Sequence, residues 1–431
     1  MLIRRTRHWR LAAFLGVTAL AAVACSNAST GTGSGSGKRD TQGITKTAIR
    51  VGGLAALTGP LGNQYAGIFD GVQAYFDMVN AQGGVNGRKL VLAEKLDDSS
   101  SGDINSQQAQ ALNERDKVFA VVGVATPNFG GGKYLGSNAV PTFGWNVNPE
   151  WSNGPSLFGE KGSFLDFTGP GAGVPYLVKQ LHLSRVAILA YTAVQSRDCA
   201  TGFVNSFRKF GIDVALKDTS LPFGVTSLTT DVSRMKRRHV QFVTTCMDPT
   251  GNTLLSSTLK QQGLRDIVQY WPNGYDSDVL ARYKDLMEGV YLSSMFVPFE
   301  DPQASPGIQQ FLAQMHARFP KSKPAEVRLA GWLDADLFVR GLRAVGPDVT
   351  RSKLVAAINN MTDWTADRTV PPINWKIAHR NNDSPDCMAY IQVKHGAFTP
   401  VLGRDGTPFV CWPAHGASLV PIPLPTTGSP G

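Results

Sequence analysis

The chain has little of what catalysis and metal binding require. Its seven His residues are spread so that none lies three to five positions from another, which excludes a His-pair metal site on one helix. There is no Gly-x-Ser-x-Gly elbow and no His-Glu-x-x-His. Gly132-Lys133 is followed by Tyr134, and position 127 is proline, so no phosphate-cradling P-loop is present. No cofactor motif appears, and an enzyme is not expected. Charge of one sign is also scarce. The formal net charge is +9, but Arg4, Arg5, Arg7 and Arg10 supply four of those charges, leaving about +5 over the rest. The densest basic cluster, Met235-Lys236-Arg237-Arg238-His239, reads as a solvated helix end rather than a nucleic-acid surface. Apolar runs are short: Leu11–Ala24 falls below the roughly 20 residues that a membrane-spanning helix needs.

What stands at the N-terminus reads as an export signal. The four arginines form a positive n-region, Leu11–Ala24 an apolar h-region, and Ala22-Val23-Ala24-Cys25 resembles a bacterial lipobox with Ala where Leu is usual. Residues 1–24 are therefore expected to be a lipoprotein signal peptide, and Cys25 the lipidated N-terminus. Arg4-Arg5 leaves the export route open. Residues 25–47, rich in Ser, Gly and Thr, are expected to be a flexible linker that holds a folded body on the extracytoplasmic face of the cell membrane. Residues 413–431 read as a Pro-rich tail.

Cysteine is rare: five in all, four beyond Cys25. An even number in an exported chain suggests two disulfides, and four cysteines allow three pairings. Cys387–Cys411 is favoured because the segment between them reads as a hairpin. Cys199–Cys246 is favoured because both follow apolar strands. A metal site lacks the expected CxxC or neighbouring His.

About 400 residues remain after the signal, enough for two domains. A strand at 49–57 is followed by the turn Thr58-Gly59-Pro60-Leu61-Gly62. Next comes a helix with Ile68, Val72, Tyr75, Phe76 and Val79 on one face, ended by Gly83-Gly84. Further strands are expected at 88–96, 118–123 and 140–143, with a polar helix over 104–115. The pattern restarts after Gly169-Pro170-Gly171. A helix near 174–181 precedes a strand over 186–191. A helix over 201–210 turns Phe203, Phe207 and Phe210 inward, and strands near 212–216, 240–245, 267–271 and 290–297 follow. Amphipathic helices are expected at 307–318, 330–344 and 351–360, then strand-and-turn structure over 371–413. Alternating strands and helices imply parallel sheets covered on both faces, here as two tandem sets.

The run Ala56-Leu57-Thr58-Gly59-Pro60, then Gly67-Ile68, then Asn80-Ala81-Gln82-Gly83-Gly84-Val85-Asn86-Gly87-Arg88 resembles the leucine/isoleucine/valine-binding-protein family. Asp97-Asp98 and the strand end Val122-Gly123 agree with it, and the order of elements matches over 49–412. Members of that family are type I periplasmic binding proteins of ABC importers. The resemblance implies an α/β fold of two doubly wound parallel-sheet lobes joined by a hinge. The first lobe is expected at 48–166 plus 303–361, and the second at 167–302 plus 362–412. It implies capture of a small-molecule solute by a monomer, closure of the hinge, and delivery to an ABC importer permease. A ligand sensor that signals to a membrane receptor is the rival reading.

Ligands of parallel α/β sheets sit beyond the carboxyl ends of the strands. That singles out Thr58, Tyr65, Thr126, Asn128, Trp145, Asn146, Tyr191, Asp248, Asn273 and Tyr275, with Trp332 and Asp334 approaching from a crossover helix. Asn128, Asn146 and Asn273 also suit turns, Asp248 suits a helix cap, and Trp332 suits a core. In amino-acid binders of the family, hydroxyl residues after the third and fourth strands hold the ligand carboxylate. A Tyr and an acidic residue of the second lobe hold its ammonium. The matching positions here are Pro127, Val147, Asp248 and Asn273. Pro127 and Val147 have no side-chain donor, so the resemblance implies a cargo other than a plain α-amino acid, flatter or less polar.

Overall fold

A computed structural model describes residues 40–59, 62–380, 385–404 and 406–425. Cys25 and the signal lie outside these residues.

The first lobe is built on five parallel strands: β1 (Ala48–Ala55), β2 (Lys89–Asp97), β3 (Ala120–Ala125), β4 (Thr142–Gly144) and β5 (Leu157–Gly159), in the order β2-β1-β3-β4-β5. β3, Ala-Val-Val-Gly-Val-Ala, is buried along its whole length because both faces of the sheet are covered. On one face Val121 and Val124 meet Ala109 and Leu112 of helix Gly102–Glu114. On the other, Val122 joins Val72 and Phe76 of helix Ile68–Ala81 and Phe338 of helix Glu326–Val345. This last helix lies far along the chain, yet it packs on the first sheet. Two glycines permit that approach. A Cβ on Gly71 would overlap the Arg328 carbonyl, and one on Gly331 would overlap the Ile68 carbonyl, so the two helix backbones touch.

The second lobe carries β6 (Arg185–Tyr191), β7 (Asp213–Leu221), β8 (Phe242–Cys246), β9 (Val268–Tyr270), β10 (Tyr291–Ser294), β11 (Asp386–Lys394), β12 (Ala397–Val401) and β13 (Phe409–Trp412). The order is β12-β11-β10-β9-β8-β6-β7, with β13 also paired to β11. β6 to β10 pair in parallel, whereas β11 runs antiparallel to β10, β12 and β13. The fold is thus mixed α/β with two lobes. Cys387 faces Cys411 across β11 and β13 and is bonded to it; Cys199, in helix Val194–Lys209, is bonded to Cys246 at the end of β8.

Rings run from one lobe to the other without a break. Tyr275 meets Phe299 at 5.6 Å, Phe299 meets Phe311 at 5.8 Å, Phe311 meets Trp332 at 5.8 Å, and Trp332 meets Tyr75 at 4.7 Å.

Both expected loose segments are partly docked. Residues 40–47 do not behave as linker: the Gln42 amide donates to the Asn113 and Val118 carbonyls, and Asp40 accepts from Ser352. Gly43 has φ +76 and lies against the Phe119 backbone, where a side chain would clash. After β13 the chain turns through Ala414–Gly416, and Ile422 pairs with Cys411.

Candidate functional site

The carboxyl end of β1 is organised by one carboxylate. Asp97 accepts hydrogen bonds from the Thr58 hydroxyl (2.5 Å) and from the backbone N–H groups of Leu57 (2.9 Å), Thr58 (3.2 Å) and Ser99 (2.8 Å). Partial burial opposes its charge, but these donors outweigh it and bring the carboxyl down to about 2. Next to it Asp98 is buried and accepts from Asn105 (2.7 Å) and the Ser100 N–H (2.8 Å); burial raises it. Thr126, also buried, accepts from the Asn128 N–H, and the Asn128 amide donates to the Ser100 carbonyl. Thr58, Thr126 and Asn128 therefore brace the loops after β1, β2 and β3. The Pro127 carbonyl accepts from Asn148.

Trp145 follows β4. Its ring tilts against Tyr65 at 5.3 Å and lies 5.7 Å from the Lys161 ammonium, while its indole N–H donates to Glu326 (3.2 Å). Asn146 turns inward: its N–H donates to Glu160 (2.6 Å) and its amide to the Gly162 carbonyl (2.5 Å). Lys161 donates to Glu326 at 2.7 Å and lies 3.4 Å from Glu160. Burial works against the Lys161 charge, but Glu326 and Glu160 prevail and raise its pKa. Glu160, Lys161 and Glu326 line a narrow cavity whose other walls include Met295 and Phe296, just past β10, and Leu329 and Leu333 of the crossover helix. Strand ends of both lobes thus border one space.

In the second lobe, the Tyr191 hydroxyl donates to Asp248 (2.6 Å), and the same Asp248 oxygen accepts the Gly251 N–H (3.0 Å) at the start of helix Pro249–Gln261. Burial and Asp248 raise the Tyr191 pKa. Ser196 joins the Tyr191 N–H (2.7 Å) to the Cys246 carbonyl. Phe223 packs edge-on to Tyr191 at 5.3 Å and is 63% exposed; Val194 is 58% exposed and Met295 37%. Each of the three follows the carboxyl end of a strand (β6, β7 or β10). They form an apolar rim.

Two expected contacts lie elsewhere. Trp332 is 2% exposed between Tyr75 and Phe311, in the core between helices. Tyr275 is buried in the ring run and donates to Glu300 (2.5 Å). Asp248, half-buried at the end of β8, is a helix cap whose Oδ1 accepts both the Tyr191 hydroxyl and the Gly251 N–H. Asn273 is exposed on the turn after β9. Glu160, Lys161 and Glu326 were missed. The signal was Leu157-Phe158 followed by Gly159-Glu160-Lys161-Gly162, a short apolar strand ending in a polar turn. Among the described residues no group of three or more His, Cys, Asp or Glu is placed to hold a metal, and no helix is long and apolar enough to cross a membrane.

Residues 48–397 match the family model described as periplasmic binding protein. A comparison with curated proteins finds no match. Among solved structures, an ABC transporter solute-binding protein from R. palustris in complex with benzoate is similar, with TM-score 0.68, 20% identity, and coverage of 84% of this chain and 97% of that one. The branched-chain amino acid transporter substrate-binding protein of Streptococcus pneumoniae in complex with isoleucine has TM-score 0.68 and 16% identity, covering 82% and 99%. A fatty acid ABC transporter substrate-binding protein from Thermomonospora curvata has TM-score 0.67 and 16% identity, covering 83% and 92%. With the match extending over most of the chain and the two-lobed α/β architecture in agreement, this protein belongs to the periplasmic binding protein family, whose members bind solutes rather than transform them.

Proposed function

We propose that the protein is the extracytoplasmic solute-binding component of an ABC importer, anchored to the membrane through lipid on Cys25. The narrow cavity bordered by residues after β5 and after β10 carries the reading, because it brings strand ends of the two lobes face to face, so that a solute taken up as they part would touch both. Ligand contact with both lobes is what closes a hinged protein. The neighbours' names point the same way, since benzoate, isoleucine and fatty-acid binders of ABC transporters share this fold. The apolar rim of Val194, Phe223 and Met295 favours a solute with a substantial apolar part. The lobes are assigned as 48–166 plus 303–380 and 167–302 plus 385–412; residues 362–380, expected in the second lobe, pack on the first instead, where Trp364 donates to Asp336, Trp375 meets Phe158 and the Ala378 carbonyl accepts from Ser163. Candidate contacts at the cleft are Tyr65, Trp145, Tyr191 and Phe223.

A thermal-shift screen of amino acids, amides, amines, aromatic acids and polyols tests capture, because a ligand bound only to the folded state raises the melting temperature. Small-angle scattering then tests closure: compaction is expected with the hit, and an unchanged radius of gyration excludes it. Cys25→Ala is expected to release the protein from membranes. Retention of that variant, with no acyl mass on wild-type Cys25, rules out the anchor.

A further inference from the structure

The basic cluster of residues 235–239, read from the sequence as a solvated helix end, is the centre of a wider surface. Three helices end at the amino edge of the second sheet. Gly173–Gln180 carries Lys179 in its last turn, Val194–Lys209 carries Arg208 and Lys209, and Thr229–Arg237 carries Lys236 and Arg237. They lead into β6, β7 and β8 in turn, so their ends share one region. Arg185 opens β6 among them; it donates to the Arg238 carbonyl (3.0 Å) and pairs with Asp213 at 3.2 Å. All these cationic residues are exposed. Among the described residues, the side chains of Lys179, Arg208, Lys236 and Arg237 have no hydrogen-bond or ion-pair partner.

Cations at helix carboxyl ends suit the macrodipole, but the dipole does not account for this set. In the first lobe, helices Ile68–Ala81, Gly102–Glu114 and Arg351–Asn359 have no basic residue in the last turn. Arginines there are neutralised: Arg50 pairs with Glu94, Arg115 with Asp116, Arg318 with Asp77 and Arg328 with Asp70. On the second lobe the positive charges are gathered and left unpaired. Such a surface repels itself and attracts polyanions. Exposed guanidinium forks, as at Arg208 and Arg237, match the oxygens of phosphate.

The chain's entry fixes which way this surface faces. Gln42 docks on Asn113 and Val118, and Asp40 on Ser352, at the amino edge of the first sheet. Strand carboxyl ends of both lobes border the shared cavity, so the two amino edges lie at opposite ends of the molecule. A tether holding the first end to lipid turns the second end outward. We infer that the amino edge of the second lobe docks on a linear phosphate polymer of the cell envelope, on the side away from the anchoring membrane. The direction rests on the Cys25 anchor of the reading above; the polyanion contact itself is independent of the cargo.

Isothermal titration calorimetry of the full chain with medium-chain inorganic polyphosphate tests it. Binding is expected, and it should weaken steeply between about 50 and 200 mM salt. Arg208→Gln, Lys236→Gln and Arg237→Gln together are expected to weaken it by at least about tenfold. Lys46→Gln, Lys89→Gln and Arg343→Gln together remove the same charge from exposed positions of the first lobe, and a change of less than about twofold is expected. Unchanged melting temperatures verify the fold of both variants. Absence of polyphosphate binding overturns the inference. So does equal weakening by the two sets, which is an effect of net charge alone. Equal affinity for polyglutamate overturns the phosphate preference. Tighter binding to phosphatidylglycerol vesicles or to single-stranded DNA overturns the assigned partner. Solute capture is scored apart: a hit from the thermal-shift screen should bind the second-lobe variant as it binds wild type, and a screen without hits leaves the polyphosphate result standing.

Discussion

The Tyr191 hydroxyl and the Gly251 N–H both donate to the same oxygen of Asp248. One carboxylate therefore ends the β6 loop and starts helix Pro249–Gln261. Asp248→Ala removes the cap and leaves a buried hydroxyl without an acceptor, for an expected loss of about 2–3 kcal/mol. Asp248→Asn keeps a side-chain oxygen and is expected to cost about 1 kcal/mol. Denaturant titration of the two variants checks the order; equal losses would exclude the shared-acceptor account.

Asp97 gives an acid-stability prediction. Its folded pKa of about 2 lies below the ordinary carboxyl value of 3.8. The unfolded state therefore binds the proton more readily, and the stabilisation is complete above pH 4 and lost as pH falls from about 4 to 2. Thr58→Val removes one donor and is expected to flatten that part of the stability–pH curve. Urea melts at pH 5, 4, 3 and 2 measure it, with a wild-type slope unchanged in the variant as the contrary outcome.

Phe223 and Trp332 are both aromatic and differ in role. Phe223→Ala, at a rim position, is expected to change stability by no more than about 0.5 kcal/mol while weakening solute affinity. Trp332→Ala opens a cavity between helices and is expected to cost about 3–5 kcal/mol. Parallel melts and ligand titrations separate the two, and a large stability loss at Phe223 would refute its rim assignment.

Both disulfides lie within the second lobe. Cys199–Cys246 closes a loop with a sequence separation of 47, and Cys387–Cys411 one of 24. Removing either by paired Cys→Ser substitution is expected to cost about 2–4 kcal/mol, more for the longer loop. The Cys199–Cys246 change is also expected to weaken ligand binding, because that bond ties the first helix of the β6 wall to the end of β8. Calorimetric melting and titration of each double variant test both points.

The strands were legible because each is an apolar run between turn residues, and the tandem βα order carried the lobes with them. Leu157–Gly159 was not, since three residues give no periodicity and pair only because β4 lies beside them. Helix Val194–Lys209 begins seven residues before the expected Thr201, because its exposed first turns are polar. At the site, sequence position located the strand ends at Trp145 and Tyr191 but not the direction of every ring. Trp332 and Tyr275 stand at plausible places and point into the core. Glu160 acquires meaning only when Lys161 and Glu326, 165 residues apart, are brought together.

The glycine crossing of helices Ile68–Ala81 and Glu326–Val345 has a practical corollary for biosensor construction. Positions 71 and 331 tolerate no side chain, so a reporter dye belongs nowhere near them. Val194 and Phe223, on the opposite lobe and open to solvent, are the attachment points from which a fluorophore would report movement relative to that fixed joint.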